Sequence, residues 1–271
     1  GFVLENGATP EKHVIETMVG GVAAFDFDGD GLTDIFFANG ATSPGLLKTG
    51  EKFSNRLFRN LGGFRFKDVT AEAGLAGEGY CHGVAAADFD NDGRVDLFVT
   101  GVRGNHLYRN LGGGRFEDVT AKAGVGGGLW SIGAGWFDFD NDGLLDLFVA
   151  NYLEWSPDAA PYCGDPARGI RSYCHPRNYR GLANALYRNR GDGTFEDVSA
   201  KSGIAAHVGK AMSVSFADYD GDGRMDVFVT NDKMPNSLFH NLGGGKFEEV
   251  AFELGVALPD HGRDVSGMGS D

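Results

Sequence analysis

The stretch Asp88–Thr100, DFDNDGRVDLFVT, sets aspartate at its first, third, fifth and ninth residues and then runs straight into an apolar strand. It recurs as DFDGDGLTDIFFANG from Asp26, DFDNDGLLDLFVAN from Asp138 and DYDGDGRMDVFVTN from Asp218. A second block alternates with it: NRLFRNLGGFRFKDVT from Asn55, NHLYRNLGGGRFEDVT from Asn105, NALYRNRGDGTFEDVS from Asn184 and NSLFHNLGGGKFEEVA from Asn236. Repetition at this period means units that bury their faces against one another.

Each unit reads as four short strands, which in the second unit are GVAAADF, DLFVTG, NHLYRN and RFEDVT. β-branched and aromatic residues fill them and glycine punctuates them. TAKAGV and its counterparts favour helix but are long enough for only one turn. The reading is all-β: a propeller of four-stranded blades, one blade per repeat. The blades fall near residues 20–75, 80–125, 130–204 and 210–256 of one domain spanning 1–271. Spacing from Asn60 to Asp88, Asn110 to Asp138 and Asn189 to Asp218 is 28, 28 and 29 residues. Spacing from the first loop aspartate to the next N-x-L is 29, 17, 46 and 18 residues. Insertions therefore sit near 41–54 and 152–183, in loops that tolerate them. SGMGSD at Ser266–Asp271 matches AMSVSF at Ala211–Phe216, so the chain is expected to enter a fifth blade.

Four carboxylates in nine residues repel one another, and a hard divalent cation removes the conflict. Asp26, Asp28, Asp30 and Asp34 form the first candidate set, and Asp88, Asp90, Asp92 and Asp96 the second. Asp138, Asp140, Asp142 and Asp146 form the third, and Asp218, Asp220, Asp222 and Asp226 the fourth. Glycine at position 6 (Gly31, Gly93, Gly143, Gly223) allows the bend. Position 7 (Leu32, Arg94, Leu144, Arg224) offers a backbone carbonyl, and the position-9 aspartate closes the site. An EF-hand needs glutamate at position 12, but Phe37, Val99, Val149 and Val229 stand there, inside strands. The expected ion is Ca²⁺ at about four sites. Magnesium prefers more water, and solvated turns would not repeat aspartate at the same four places.

A net charge of −14 argues against nucleic acid as a partner. No apolar run is long enough for a transmembrane helix, and no signal peptide is visible. Cys163 and Cys174 share the second insertion, which is otherwise polar. A disulfide is expected there, with two free thiols as the alternative, and Cys81 reads as a buried single thiol.

The acidic loop and its strand resemble the FG-GAP/VCBS repeat of integrin-α-type propellers. ENGATPEKHVIETM, LYRNRGDGTFEDVSAKSGI and CGDPARGIRSYCHPRNYRG resemble the cartilage acidic protein family, whose members often carry a C-terminal ASPIC/UnbV domain. That domain is absent from this sequence. The resemblance covers essentially the whole chain. It implies a seven-bladed, calcium-binding propeller, secreted, cell-surface or periplasmic, used for binding or adhesion, with no settled enzymatic activity.

Loops alternate between the two faces of such blades, so both insertions lie opposite the calcium loops. That face collects Tyr152, Trp155, Tyr162, Tyr173, His175, Tyr179, Cys81, His82, Trp130 and His207. Tyr152, Trp155, Tyr173, His175, His82 and Trp130 are the candidate ligand face, against the alternative that they pack the insertions down. The expected function is a binding or adhesion module for a protein or glycan. The alternatives are a glycan-active lyase or hydrolase with its site on the same face, and a structural spacer. No motif ties His82, His175 or His207 to a nucleophile or a paired acid. Arg59, Arg109 and Arg188 recur in register and read as framework residues pairing with nearby carboxylates.

Overall fold

The computed structural model describes residues 1–260 and 262–270. Four antiparallel sheets carry the chain, each with its strands in sequence order. The first holds β1 (Val22–Phe25), β2 (Asp34–Phe37), β3 (Arg56–Asn60) and β4 (Phe66–Asp68). The second holds β5 (Cys81–Ala87), β6 (Asp96–Gly101), β7 (His106–Gly112) and β8 (Arg115–Asp118). In the third, β9 (Ser131–Phe137) and β10 (Asp146–Asn151) precede the long insertion, which contains a small hairpin of β11 (Gly164–Asp165) and β12 (Ile170–Arg171). β13 (Leu182–Ala183) follows, and β14 (Ala185–Asn189) and β15 (Phe195–Asp197) complete that sheet. β16 (Val208–Gly209) pairs with β13. The fourth sheet holds β17 (Ala211–Ala217), β18 (Asp226–Asn231), β19 (Ser237–Gly243) and β20 (Lys246–Glu249).

The unbroken apolar runs after the acidic loops are explained by burial on both faces of a sheet. Along β6, Leu97 and Val99 pack with Phe36 and Leu57 of the first blade, while Phe98 packs with Leu147 and Tyr187 of the third. Side chains of a strand alternate faces, so each second strand feeds two inter-blade cores. The third core, between blades three and four, joins Phe139, Phe148 and Leu186 to Val227, Phe239 and Phe247. The first strands β1, β5, β9 and β17 neighbour one another in chain order. They approach closely enough that a Cβ on Gly83 would lie 2.3 Å from the Ile132 carbonyl oxygen. Each of the first three blades ends in a single helical turn, α1 (Thr70–Ala73), α2 (Thr120–Ala123) and α3 (Ser199–Ser202). Gly74 and Gly124 terminate the first two in the left-handed conformation.

Ser266 bridges to Asp232, and Ser270 donates its N–H to Ser213 Oγ at 3.4 Å, so this segment runs beside the fourth blade. Asp271 lies outside the described residues.

Candidate metal centre

The four acidic loops join the first strand of each blade to the second and sit side by side. Position 1 organises the turn. Asp26 accepts N–H bonds from Gly29, Asp30 and Gly31 at 2.7–3.1 Å, and Asp218 does the same for Gly221, Asp222 and Gly223. Asp88 and Asp138 each accept two such bonds. These backbone donors, led by Gly31 and Gly223, hold Asp26 and Asp218 below the usual carboxylate range.

Position 9 closes the loop. Asp34, Asp96, Asp146 and Asp226 are buried. In each, Oδ2 accepts the N–H of the second loop residue (Phe27, Phe89, Phe139, Tyr219) at 3.0–3.2 Å. Oδ1 accepts the N–H of an asparagine on the third strand (Asn60, Asn110, Asn189, Asn241) at 2.7–2.8 Å. Burial pushes the Asp96 and Asp146 carboxyls up to about 7.

In the first three loops positions 3 and 5 face an arginine from the third strand. Arg59 reaches Asp28 at 2.7 Å and Asp30 at 3.1 Å, and Arg109 reaches Asp90 at 2.6 Å and Asp92 at 3.1 Å. Arg188 reaches Asp140 at 2.7 Å and Asp142 at 3.2 Å. In the fourth loop His240 takes this place, 3.1 Å from Asp226 and 3.7 Å from Asp220. The position-7 residues Leu32, Arg94, Leu144 and Arg224 donate their N–H to the position-5 carboxylate. Arg94 and Arg224 also fold their guanidinium groups back onto Asp92 and Asp222, a contact that the variability of position 7 concealed.

Carboxylate oxygens of Asp26, Asp28 and Asp34 lie within 4.8 Å of one another, as do those of Asp88, Asp90 and Asp96, and of Asp138, Asp140 and Asp146. In the fourth loop Asp218, Asp220 and Asp222 converge, and Asp220 and Asp226 converge with His240. Asp30, Asp92 and Asp142 stand outside these groups and turn to arginine instead. Oδ1 of Asp28, Asp90 and Asp140 is shut from solvent and meets no hydrogen-bond donor. A buried carboxylate oxygen without a partner calls for positive charge, and an all-oxygen donor set suits a hard divalent cation. The residues present therefore fit calcium.

The asparagines of the third strand carry a role that sequence reasoning missed. The side-chain amide of Asn110 donates to Phe27 O at 2.9 Å in the preceding loop and to Val95 O at 3.0 Å in its own. Asn189 spans Phe89 O and Leu145 O, and Asn241 spans Phe139 O and Met225 O. The recurrent Asn after Tyr-Arg, Phe-Arg or Phe-His was the available signal.

On the opposite face the aromatic candidates divide. Tyr152, Trp130 and Trp155 are buried in one cluster with Val14 and Ile15 of the N-terminal segment, and His82 is buried against Trp130. Trp130 Nε1–H donates to His82 Nε2 at 2.9 Å, and Tyr152 donates to Asp232 at 2.7 Å. These four are covered and anchor what lies over them. Tyr173 and His175 do reach solvent, and Tyr173 donates to Glu16 at 3.1 Å. Cys163 and Cys174 are disulfide-bonded, and Cys81 is a buried free thiol. The Lys48 ammonium pins the first insertion by donating to Asn39 O, Gly40 O and Phe53 O at 2.7–2.9 Å. A crevice of about 620 Å³ opens between the second and third blades, lined by Asn105, Ser131, Asn151, Asn184 and Tyr187 among others.

No helix among the described residues is long and apolar enough to cross a membrane. The FG-GAP-like repeat matches four times, at residues 26–99, 88–149, 177–229 and 218–266. Cartilage acidic protein 1 of Xenopus tropicalis is 27% identical over 240 residues, covering 85% of this chain and 34% of that protein. The Homo sapiens protein of the same name is 37% identical over 79 residues, covering 29% of this chain and 12% of its own length. The chain thus spans about a third or less of these relatives. A solved Agrocybe aegerita lectin, described by its specific recognition of non-reducing terminal N-acetylglucosamine, aligns at 21% identity and a TM-score of 0.46, covering 86% of this chain and 52% of that one. Four matches, each containing at least one acidic loop, leave one assignment: the chain belongs to the FG-GAP-like repeat family.

Proposed function

We propose that this chain is a calcium-clamped binding or adhesion module working outside the cytosol, at a cell surface, in secretions or in a periplasm. The observation that carries it is the fourfold carboxylate cluster with its unpartnered, solvent-shielded oxygens in the first three loops. Calcium would be held by the aspartates at positions 1, 3 and 9 in the first three loops and at positions 1, 3, 5 and 9 in the fourth, with the position-7 carbonyl completing the set. Bound there, the ion supplies charge neutralisation and rigidity. The protein's own residues do the rest. The position-1 aspartates shape the turns, the position-9 aspartates lock each loop to the third strand, and the asparagines fasten loop to neighbouring loop.

Extracytosolic placement is supported by the Cys163–Cys174 disulfide, since such bonds persist in oxidising compartments. Multiple modest calcium sites also suit calcium-rich surroundings. The ligand is read as a protein or a glycan meeting the face opposite the loops, where the insertions place Tyr173 and His175 at the surface. The test is calorimetric titration with Ca²⁺ and Mg²⁺, paired with thermal melts in calcium and in EDTA. Saturable binding of about four calcium ions and a raised melting temperature are expected. No heat and identical melts would overturn the reading.

A further inference from the structure

We propose that the acidic loops fill as a coupled file, occupation of one favouring occupation of the next. This rests on the calcium reading above and adds to it a route between sites.

Each pair of adjacent loops shares a buried connector. The backbone N–H of Asn110 is fixed to Asp96 Oδ1 in the second loop, while its side chain holds the Phe27 carbonyl, between Asp26 and Asp28 of the first. Any adjustment of Asp96 on taking a cation is therefore passed to the backbone carrying two carboxylates of the neighbouring site. Asn189 connects Asp146 to the Phe89 carbonyl in the same way, and Asn241 connects Asp226 to the Phe139 carbonyl. Buried hydrogen bonds of this kind transmit position because breaking them leaves unpaired groups.

A second connector exists for only two of the three pairs. Asn91, set between Asp90 and Asp92, donates to Gly143 O at 3.3 Å, next to position 7 of the third loop. Asn141 donates to Gly223 O at 3.1 Å in the fourth. The first loop has Gly29 at this position and no side chain to reach across. Asn91 and Asn141 adopt φ of 57° and 59°, and Gly29 and Gly221 adopt 75° and 78°, so asparagine and glycine share one backbone region here. Asparagine tolerates that region better than most residues. The chain thus contains its own control: loops two to four are doubly tied, and the first is tied once.

The experiment is calcium titration by calorimetry in 0.15 M salt, where a Debye length of about 8 Å screens repulsion between bound ions. Three proteins are compared: the parent chain, Asn91→Gly/Asn141→Gly, and Gly29→Asn. The parent should give a Hill slope above 1. The double variant should keep its stoichiometry, lower the slope and raise the calcium midpoint roughly fivefold, the lower end of ordinary coupling. Gly29→Asn should raise the slope. Four-site binding with unit slope in the parent, or a double variant with an unchanged slope, would overturn the coupling while leaving calcium binding intact. Absence of saturable binding would overturn both.

Discussion

On the acidic face the same few residues meet in much the same way at blade after blade: aspartates at fixed intervals, an arginine or in the fourth blade a histidine from the third strand, and from the second blade on an asparagine reaching back one loop. On the opposite face the blades share one contact, the Oδ1 of Asn55, Asn105, Asn184 or Asn236 accepting an N–H from at or just past the end of the second strand, and beyond it the loops differ. A disulfide holds one insertion, a lysine among carbonyls holds another, and the N-terminal segment lies over buried aromatics. The first face is stabilised by repetition and calls for an ion from outside. The second adds to its one recurrent contact a set of single contacts that the chain carries within itself. Perturbations should therefore separate the faces.

Calcium removal should have the largest effect. Ligand at a hundred times its Kd adds about 2.7 kcal/mol per site. Melting in EDTA should therefore fall far below melting in calcium, and reduction of the disulfide should not reproduce that loss. Next comes Asn189→Ala. It strips donors from the Phe89 and Leu145 carbonyls and should cost about 2–3 kcal/mol in urea unfolding. It should also weaken calcium binding, which a purely local packing defect would leave alone.

Cys163→Ser/Cys174→Ser should sharpen the contrast from the other side. Opening this short loop should cost about 2 kcal/mol and expose the insertion to limited proteolysis. The calcium isotherm should stay unchanged.

The smallest expected effect concerns pH. Burial drops the His82 imidazole from its ordinary 6.5 to about 3, and its Nε2 accepts from Trp130 with Tyr80 packed alongside. The folded chain keeps His82 neutral while the unfolded chain protonates it. Its contribution is thus complete above pH 6.5 and is lost as pH falls toward 3, by up to about 1.4 kcal/mol per pH unit. In saturating calcium, His82→Gln should flatten that limb between pH 6.5 and 5, read by urea unfolding.

Much of the acidic face was legible in the sequence because its signals are local. Aspartate spacing, glycine at the bend and the apolar run after it all fall within about fifteen residues. The asparagine connectors were not, since Asn110 and Phe27 are 83 positions apart, and asparagine after Tyr-Arg reads as a turn residue. For His82, Trp130, Tyr152 and Trp155 the sequence left display and packing both open, for a related reason. Whether an aromatic on a loop is displayed or covered depends on what another segment lays across it, and Val14 and Ile15 come from the far end of the chain.

Lys48 gives the contrast between the faces a further meaning. Its ammonium rests among three carbonyl oxygens, donors of the kind that also ligate hard cations. This cation is genetically encoded. It cannot be chelated, diluted or exchanged, and it arrives with the polypeptide at one per molecule. If the acidic loops hold calcium as proposed, its loss would loosen one side of the protein and leave this anchor in place.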